Sequence, residues 1–262
     1  MTMHVMDSFS LKGKTALVVG GAGLYGRQIT TALAQAGAKT YITSRKQDQL
    51  SQLKQEFKED GIDIEAVYMD QSDENTIVNL KDQLLKTENR IDILVNNAVG
   101  RVTDGWNDDT ANFSRSMDIN ATGIYAITKI FGNVMEQQKS GSIINIGSIH
   151  GMIGPDHTLY EGLDFHGFAP DYFFHKGGMI NFTRFVASYY GRSGVRCNCV
   201  SPGGIQSYRT PPTFVKRYSD RTLLGRMANE SDLMGVIVFL ASDASAYVTG
   251  TNIPVDGGYT AK

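Results

Sequence analysis

Two residues four positions apart, Tyr172 and Lys176 in the stretch YFFHK, pair a phenol with an ammonium. On a helix, positions i and i+4 share a face, so both tips point to one place. A phenol has an ordinary pKa of about 10 and a lysine of about 10.4, and a cation beside a phenol favours the phenolate. Such a pair makes a proton donor and acceptor that works nearer to neutral pH. The same spacing arises on amphipathic helices that do no chemistry, so the pair needs support from elsewhere in the chain.

A second candidate is VVGGAGLYGRQI, which carries Gly20, Gly21, Gly23 and Gly26. Glycine permits a tight turn and a close approach of backbone to a ligand. The helix that follows offers free N–H groups and its positive dipole end to an anion. Strand, Gly-rich turn and helix together form the setting of a dinucleotide phosphate site; a purely structural turn is the alternative. The end of the second strand bears on which dinucleotide. A carboxylate there grips a ribose 2′-hydroxyl, and an arginine accommodates a 2′-phosphate. TYITSRK ends in Ser44, Arg45 and Lys46 with no acid. These groups can pair with a phosphate. The expected cofactor is therefore NADP(H), with NAD(H) the alternative if Arg45 and Lys46 only begin a solvated helix.

Other reactive side chains carry less. Cys197 and Cys199 in GVRCNCVSPGG fall on one side of a strand and read as small buried residues. His150 and His157 in one loop, with His166 and His175 near the next helix, show no metal-ligand spacing, and no metal is expected. Trp106 after the fourth strand could wall a pocket or simply pack in its loop. Arg209 in SYRTPP could meet a carboxylate or phosphate, or stay solvated.

The elements that must position these residues alternate along the whole chain. Strand patterns occur in KTALVVG, KTYITS, DIEAVYMD, RIDILVNNA, GSIINIGS, GVRCNCVSPGG and TNIPVDGG. Helical patterns separate them, including one long run from Asp109 to Glu136 and another from Pro170 to Tyr190. Several strands are apolar on both faces, which suits a parallel sheet covered on both sides. The predicted fold is a doubly wound α/β Rossmann fold, with a mostly parallel seven-stranded sheet and helices on both faces, in a single domain over residues 1–262. The chain has 262 residues and a formal net charge of -2, with no basic run, so nucleic acid is not an expected partner. No apolar segment approaches a membrane span, and the first fourteen or so residues lack a signal-peptide core, so a soluble cytoplasmic protein is expected. One stretch, Ser148 to Asp171, is rich in Gly, His and Asp without a period and reads as a long ordered loop.

Taken in order, these pieces resemble the short-chain dehydrogenase/reductase family in its single-domain form. The resemblance spans Lys14 to about Tyr259 and is carried by the Gly20 to Gly26 turn, Asp70, NNA at Asn96 to Ala98, Asn120 in DINATG, Ser148, Tyr172-x-x-x-Lys176 and SPGGIQS from Ser201. It implies that Tyr172 exchanges a proton with the substrate oxygen and that Ser148 hydrogen-bonds that oxygen. Lys176 would hold the nicotinamide ribose and lower the Tyr172 pKa, and Asn120 would help to hold a linking water. It places the cofactor against Gly20, Gly23, Leu24, Tyr25 and Gly26, then Ser44 and Arg45, then Asp70 and Gln71 near the adenine. Asn97 and Ala98 would lie by the ribose, with Pro202, Gly203, Ile205 and Ser207 toward the carboxamide.

The turn departs from the family's usual form, since Val19 and Leu24 replace a Thr and a Gly, and Gly20-x-x-Gly23-x-x-Gly26 is similar to the family's extended branch. Val99 stands where NNAG would have its Gly, with Gly100 one later. Ser148 and Tyr172 are 24 apart (172 − 148), about double the usual separation. Around that insertion, GPDHTLYEG and NFTRFVASYYG resemble oxidoreductases linked to nonulosonic-acid biosynthesis and flagellin modification.

The function this implies is interconversion of a secondary alcohol and a ketone on a small, polar or sugar-like substrate, in a homo-oligomer (tetramer or dimer). The loop should wall the pocket, with His150, Tyr160 and Glu161 as substrate contacts and Asp156 and His157 as further polar groups; a surface loop or subunit contact is the alternative. A catalytically weak nucleotide-binding sensor or scaffold is the rival function, and the complete set Asn120, Ser148, Tyr172 and Lys176 favours the enzyme.

Overall fold

The structure, a computed structural model, describes residues 4–164 and 169–262. The strands are β1 (Thr15–Val19), β2 (Lys39–Ser44), β3 (Glu65–Tyr68), β4 (Ile93–Asn96), β5 (Gly141–Ile146), β6 (Val195–Pro202) and β7 (Asn252–Val255). The helices are α1 (Leu24–Gln35), α2 (Leu50–Glu59), α3 (Glu74–Glu88), α4 (Thr110–Met117), α5 (Gly123–Gln138), α6 (Pro170–Tyr190), α7 (Pro212–Ser219) and α8 (Met234–Ala241).

All seven strands pair in parallel, in the order β3-β2-β1-β4-β5-β6-β7. Every residue of β1 is buried, because helices cover both of its faces. Its period of two divides the core. Leu17 and Val19 join Leu80, Phe131 and Val186 on the face covered by α3, α5 and α6. Ala16 and Val18 join Ile29, Phe57 and Ile237 on the face covered by α1, α2 and α8. The chain leaves β1 toward β2 and β3 and returns to β4 on its other side. That reversal opens a crevice beyond the carboxyl ends of β1 and β4, the usual ligand position in such sheets.

Two local departures from the sequence reading matter. The run from Asp109 to Glu136 is not one regular helix: a π-helical turn, Asp118–Thr122, separates α4 from α5. A π turn admits one extra residue per turn, which helical periodicity does not reveal, and such turns often mark functional sites. The eight-residue α7 was not foreseen. It buries Phe214 and Tyr218 against Ile149, Leu159 and Met227, and so ties the loop after β5 to the segment after β6. Among the described residues, no helix is long and apolar enough to cross a membrane.

Candidate active site

The Gly-rich turn sits in the crevice and is shaped by contacts only glycine allows. Gly20 has φ +77°, and a Cβ there would stand 2.7 Å from Ala98. A Cβ at Gly26 would meet the Gly20 carbonyl at 2.2 Å, so α1 packs directly on the turn. Asn97 donates to the Gly20 carbonyl at 2.7 Å and pins the turn to the end of β4. The first turn of α1 begins at Gly23 with no side-chain cap, which leaves its amides for an anion.

A cleft of about 220 Å³ runs from Gly20 and Gly23 past Ser44 and Arg45 to Asp70 and Gln71, with Ala98 to Gly100 on its inner wall. Burial pushes the Asp70 carboxyl up, but the Ser72 donors and the Arg45 charge outweigh it and hold it below the usual range. Gln71 donates to the Ile119 carbonyl at 3.1 Å while its buried Oε1 has no partner. An open helix terminus at one end and an orphaned acceptor with a cation at the other suit a phosphate-linked nucleotide. These residues therefore fit the dinucleotide expected from the sequence.

Three of the four residues expected to do chemistry, Ser148, Tyr172 and Lys176, come together where β5 ends and α6 begins. Ser148 follows β5 and caps a short 3-10 turn, where its Oγ accepts from the His150 amide at 3.1 Å. Its hydroxyl also lies near the Tyr172 phenol, close enough to favour the phenolate. Lys176, one turn along α6, is fully buried and donates to the Ile146 carbonyl at 2.5 Å. Its ammonium lies 5.7 Å from the centre of the Tyr172 ring. Burial pushes the Lys176 pKa down to about 8. Burial also raises the Tyr172 phenol, opposed by the nearby Ser148 hydroxyl and by the charge of Arg101. Arg101 is a cation near the phenol that the sequence reading did not anticipate, and Lys176, also beside the ring, donates to a β5 carbonyl.

Asn120 lies in the π turn. Its Oδ1 accepts from the Gly100 amide at 2.8 Å and its Nδ2 donates to the Gly100 carbonyl at 2.7 Å and to Ser116 Oγ at 3.0 Å. Its side chain is thus a clamp on the segment after β4, and its amide is spent there. Ser116 and Thr103 hydrogen-bond the carboxylate of Asp171, which precedes Tyr172 and is buried. The sequence reading missed Asp171, Ser116, Thr103 and Arg101. Only Arg101 carried a signal, its place just past β4 at the crevice.

A second cavity, about 610 Å³, opens beside Tyr172 and meets the nucleotide cleft at Val99 and Gly100. His150, Tyr160, Ile205 and Arg101 are in its wall. His150 stacks on Phe173 at 4.6 Å between ring centres, and burial pushes its pKa down to about 4. Glu161 is not brought to the cavity: its side chain is exposed and its carbonyl accepts from Arg217 at 2.7 Å. Asp156 instead pairs with Arg221 and Thr158 and braces the loop against α7. His157 is exposed.

Of the remaining expected residues, Tyr25 donates to the Gly203 carbonyl at 2.7 Å, holding α1 to the end of β6, where Pro202 lies in the strand. Leu24 is largely exposed, and Ser207 is engaged with Thr210 in its own turn. Trp106 is 85% exposed and walls neither cavity, and Arg209 stacks on the exposed Tyr208. His166 lies outside the described residues. Among the described residues, no three His, Cys, Asp or Glu side chains converge as a metal site would require.

With this geometry in view, comparison with known proteins is direct. A family model described as enoyl-(acyl carrier protein) reductase, of the short-chain dehydrogenase type, matches residues 23–260. The chain is 34% identical to 2-dehydro-3-deoxy-D-gluconate 5-dehydrogenase of Bacillus subtilis (strain 168), over 99% of both chains. It is 32% identical to 7alpha-hydroxysteroid dehydrogenase of Paraclostridium sordellii, over 95% of this chain and 92% of that one. A solved structure of a gluconate 5-dehydrogenase from Burkholderia cenocepacia J2315, in complex with NADP and tartrate, superposes with a TM-score of 0.86 at 27% identity, covering 99% of this chain and 100% of that one. Parallel sheet, Gly-rich turn at the switch point and full-length likeness to dehydrogenases agree: the chain belongs to the short-chain dehydrogenase/reductase family, whose members are oxidoreductases that bind NAD(P).

Proposed function

We propose that this oxidoreductase uses NADP(H) to interconvert a secondary alcohol and a ketone on a polar, sugar-like substrate. The observation that carries the reading is the Tyr172 phenol, with the Ser148 hydroxyl and the Lys176 ammonium beside it, in a cavity that joins the nucleotide cleft at Val99 and Gly100. The cofactor, when bound, supplies the hydride that reduces the carbonyl carbon. Tyr172 gives its phenol proton to the carbonyl oxygen, so the ketone gains a hydride and a proton and leaves as the alcohol. Burial suits Tyr172 to this step, because it keeps the phenol protonated until the oxygen gains charge. Ser148 Oγ holds the same oxygen and fixes its approach. Lys176, whose pKa burial lowers to about 8, would pass a proton to the phenolate left behind. In the reverse direction the same groups take the proton back.

NADP(H) is favoured over NAD(H) by Arg45 and Ser44 in the cleft wall, with no carboxylate at the end of β2. The structural relative with NADP bound is consistent with that choice. A sugar-like substrate is supported by the polar groups of the second cavity and by the sugar-acid relatives. The test is the loss of nicotinamide absorbance when keto sugars, keto acids and simple ketones are offered with NADPH or NADH. Turnover of a polyhydroxy ketone with NADPH is expected. Oxidation of neither cofactor by any ketone would reject the reading.

A further inference from the structure

Arg101 is the one cation in the wall of the substrate cavity among the described residues. None of the ion pairs or hydrogen bonds among the described residues engages its guanidinium. Its backbone, by contrast, is held on both sides. Gly100, just before it, is gripped through both its amide and its carbonyl by Asn120. Thr103, two residues after it, hydrogen-bonds Asp171. Asp171 adjoins Tyr172 in α6, and Ser116 links the same carboxylate back to Asn120. The position of Arg101 relative to the reacting phenol is therefore fixed through two anchors, although its side chain is free. A free guanidinium on a braced segment is a preorganised anion receptor. Arg101 is exposed, and it lines the same cavity as Tyr172, so its charge is open to a solute that enters there.

We propose that Arg101 is the anion-recognition residue of this cavity, and that the substrate is a polyhydroxylated acid whose carboxylate it pairs with. The proposal rests on the oxidoreductase reading above and adds the substrate's charge. A single guanidinium suits a carboxylate better than a phosphate. The same wall carries Asp104 and Asp171, which would oppose a dianion, and among the described residues no second cation balances them. The carboxylate would span from Arg101 to the carbonyl carbon opposite Tyr172 and so select which hydroxyl-bearing carbon is presented.

The experiment compares three six-carbon probes with NADPH: 5-keto-D-gluconate (an acid), L-sorbose (neutral) and D-fructose 6-phosphate (a phosphate). In the wild type, kcat/KM should be highest for the keto acid. Arg101→Gln should lower the acid-to-neutral ratio of kcat/KM by at least about tenfold, as expected for loss of a charge-assisted contact, and Arg101→Lys should restore part of it. A ratio unchanged in Arg101→Gln, or a wild-type preference for sorbose or the phosphate, would overturn the proposal. A second arm needs no turnover: D-gluconate is titrated into the NADP⁺-loaded protein by calorimetry. Binding in the wild type that weakens at least about tenfold in Arg101→Gln supports the proposal, and equal or absent binding in both rejects it. If no probe oxidises NADPH but gluconate binding still depends on Arg101, the oxidoreductase reading fails while the anion site stands.

Discussion

Tyr172 keeps its proton because desolvation outweighs both groups that oppose it, the Ser148 hydroxyl and the Arg101 charge. A neutral phenol in that position suits the proton donor proposed above. At the other end of that cleft, Arg45 stands exposed at the end of β2 with its charge near Asp70. Removing one charge-assisted contact to a phosphate should weaken binding by roughly 1.5–3 kcal/mol. Arg45→Ala should therefore lose NADPH affinity by that amount and keep NADH affinity, as read by cofactor fluorescence; equal loss of both would count against a 2′-phosphate contact. At this scale the sequence was informative where residues repeat a motif in order. Ser148, Tyr172 and Lys176, which the family resemblance singled out, do lie close together in the folded chain. Asp171 and its two hydroxyl partners were not, because Ser116 and Thr103 lie 55 and 68 positions away and meet it only in the folded chain. Glu161 was misplaced for a related reason: its carboxylate suits a sugar hydroxyl, but the local turn points it outward.

The elements hold the site through a few close approaches. In the turn after β1, Gly20 combines a left-handed backbone with a neighbour, Ala98, already at the distance a Cβ would violate. Gly20→Ala should destabilise the fold by more than about 1 kcal/mol, from backbone strain alone, and should weaken dinucleotide binding further. Urea unfolding with and without NADP⁺ reads both effects; an unchanged midpoint would contradict the geometry. The π turn is another such device. Gly123 leaves no room for a Cβ against the Gln71 carbonyl, 2.3 Å away, and the extra residue aims Asn120 at Gly100. The strands and most helices were readable because burial on two faces makes apolar runs and burial on one makes a helical period. The π turn and α7 were not, since each is too short to establish a period of its own.

At the scale of the whole molecule, the fold buries two histidines close to the site in neutral form. Burial pushes both His150 and His175 down to about 4, and both nitrogens of His175 lack partners. A free histidine titrates near 6.5, so between about 6.5 and 4 the unfolded chain binds protons that the native protein refuses. Stability from this source is complete above pH 6.5 and is lost as pH falls through 4. Each histidine should contribute on the order of 1–3 kcal/mol to that loss. Carboxylates held below their usual range, such as Asp156 and Asp232, add to acid destabilisation with the same sign. The expected result is a urea midpoint that falls from pH 6.5 to 4, with a shallower fall in the His150→Gln/His175→Gln double variant. Equal slopes in the two proteins would mean that the histidines are not held neutral.

The proton-donor role of Tyr172 is tested most directly by Tyr172→Phe, which keeps the ring and removes only the hydroxyl. NADPH oxidation by a ketone that the wild type reduces should fall on the order of 100-fold or more, as for loss of a general acid. NADPH affinity, measured by fluorescence on the same preparations, should stay close to wild type. Near wild-type turnover in Tyr172→Phe would contradict the mechanism.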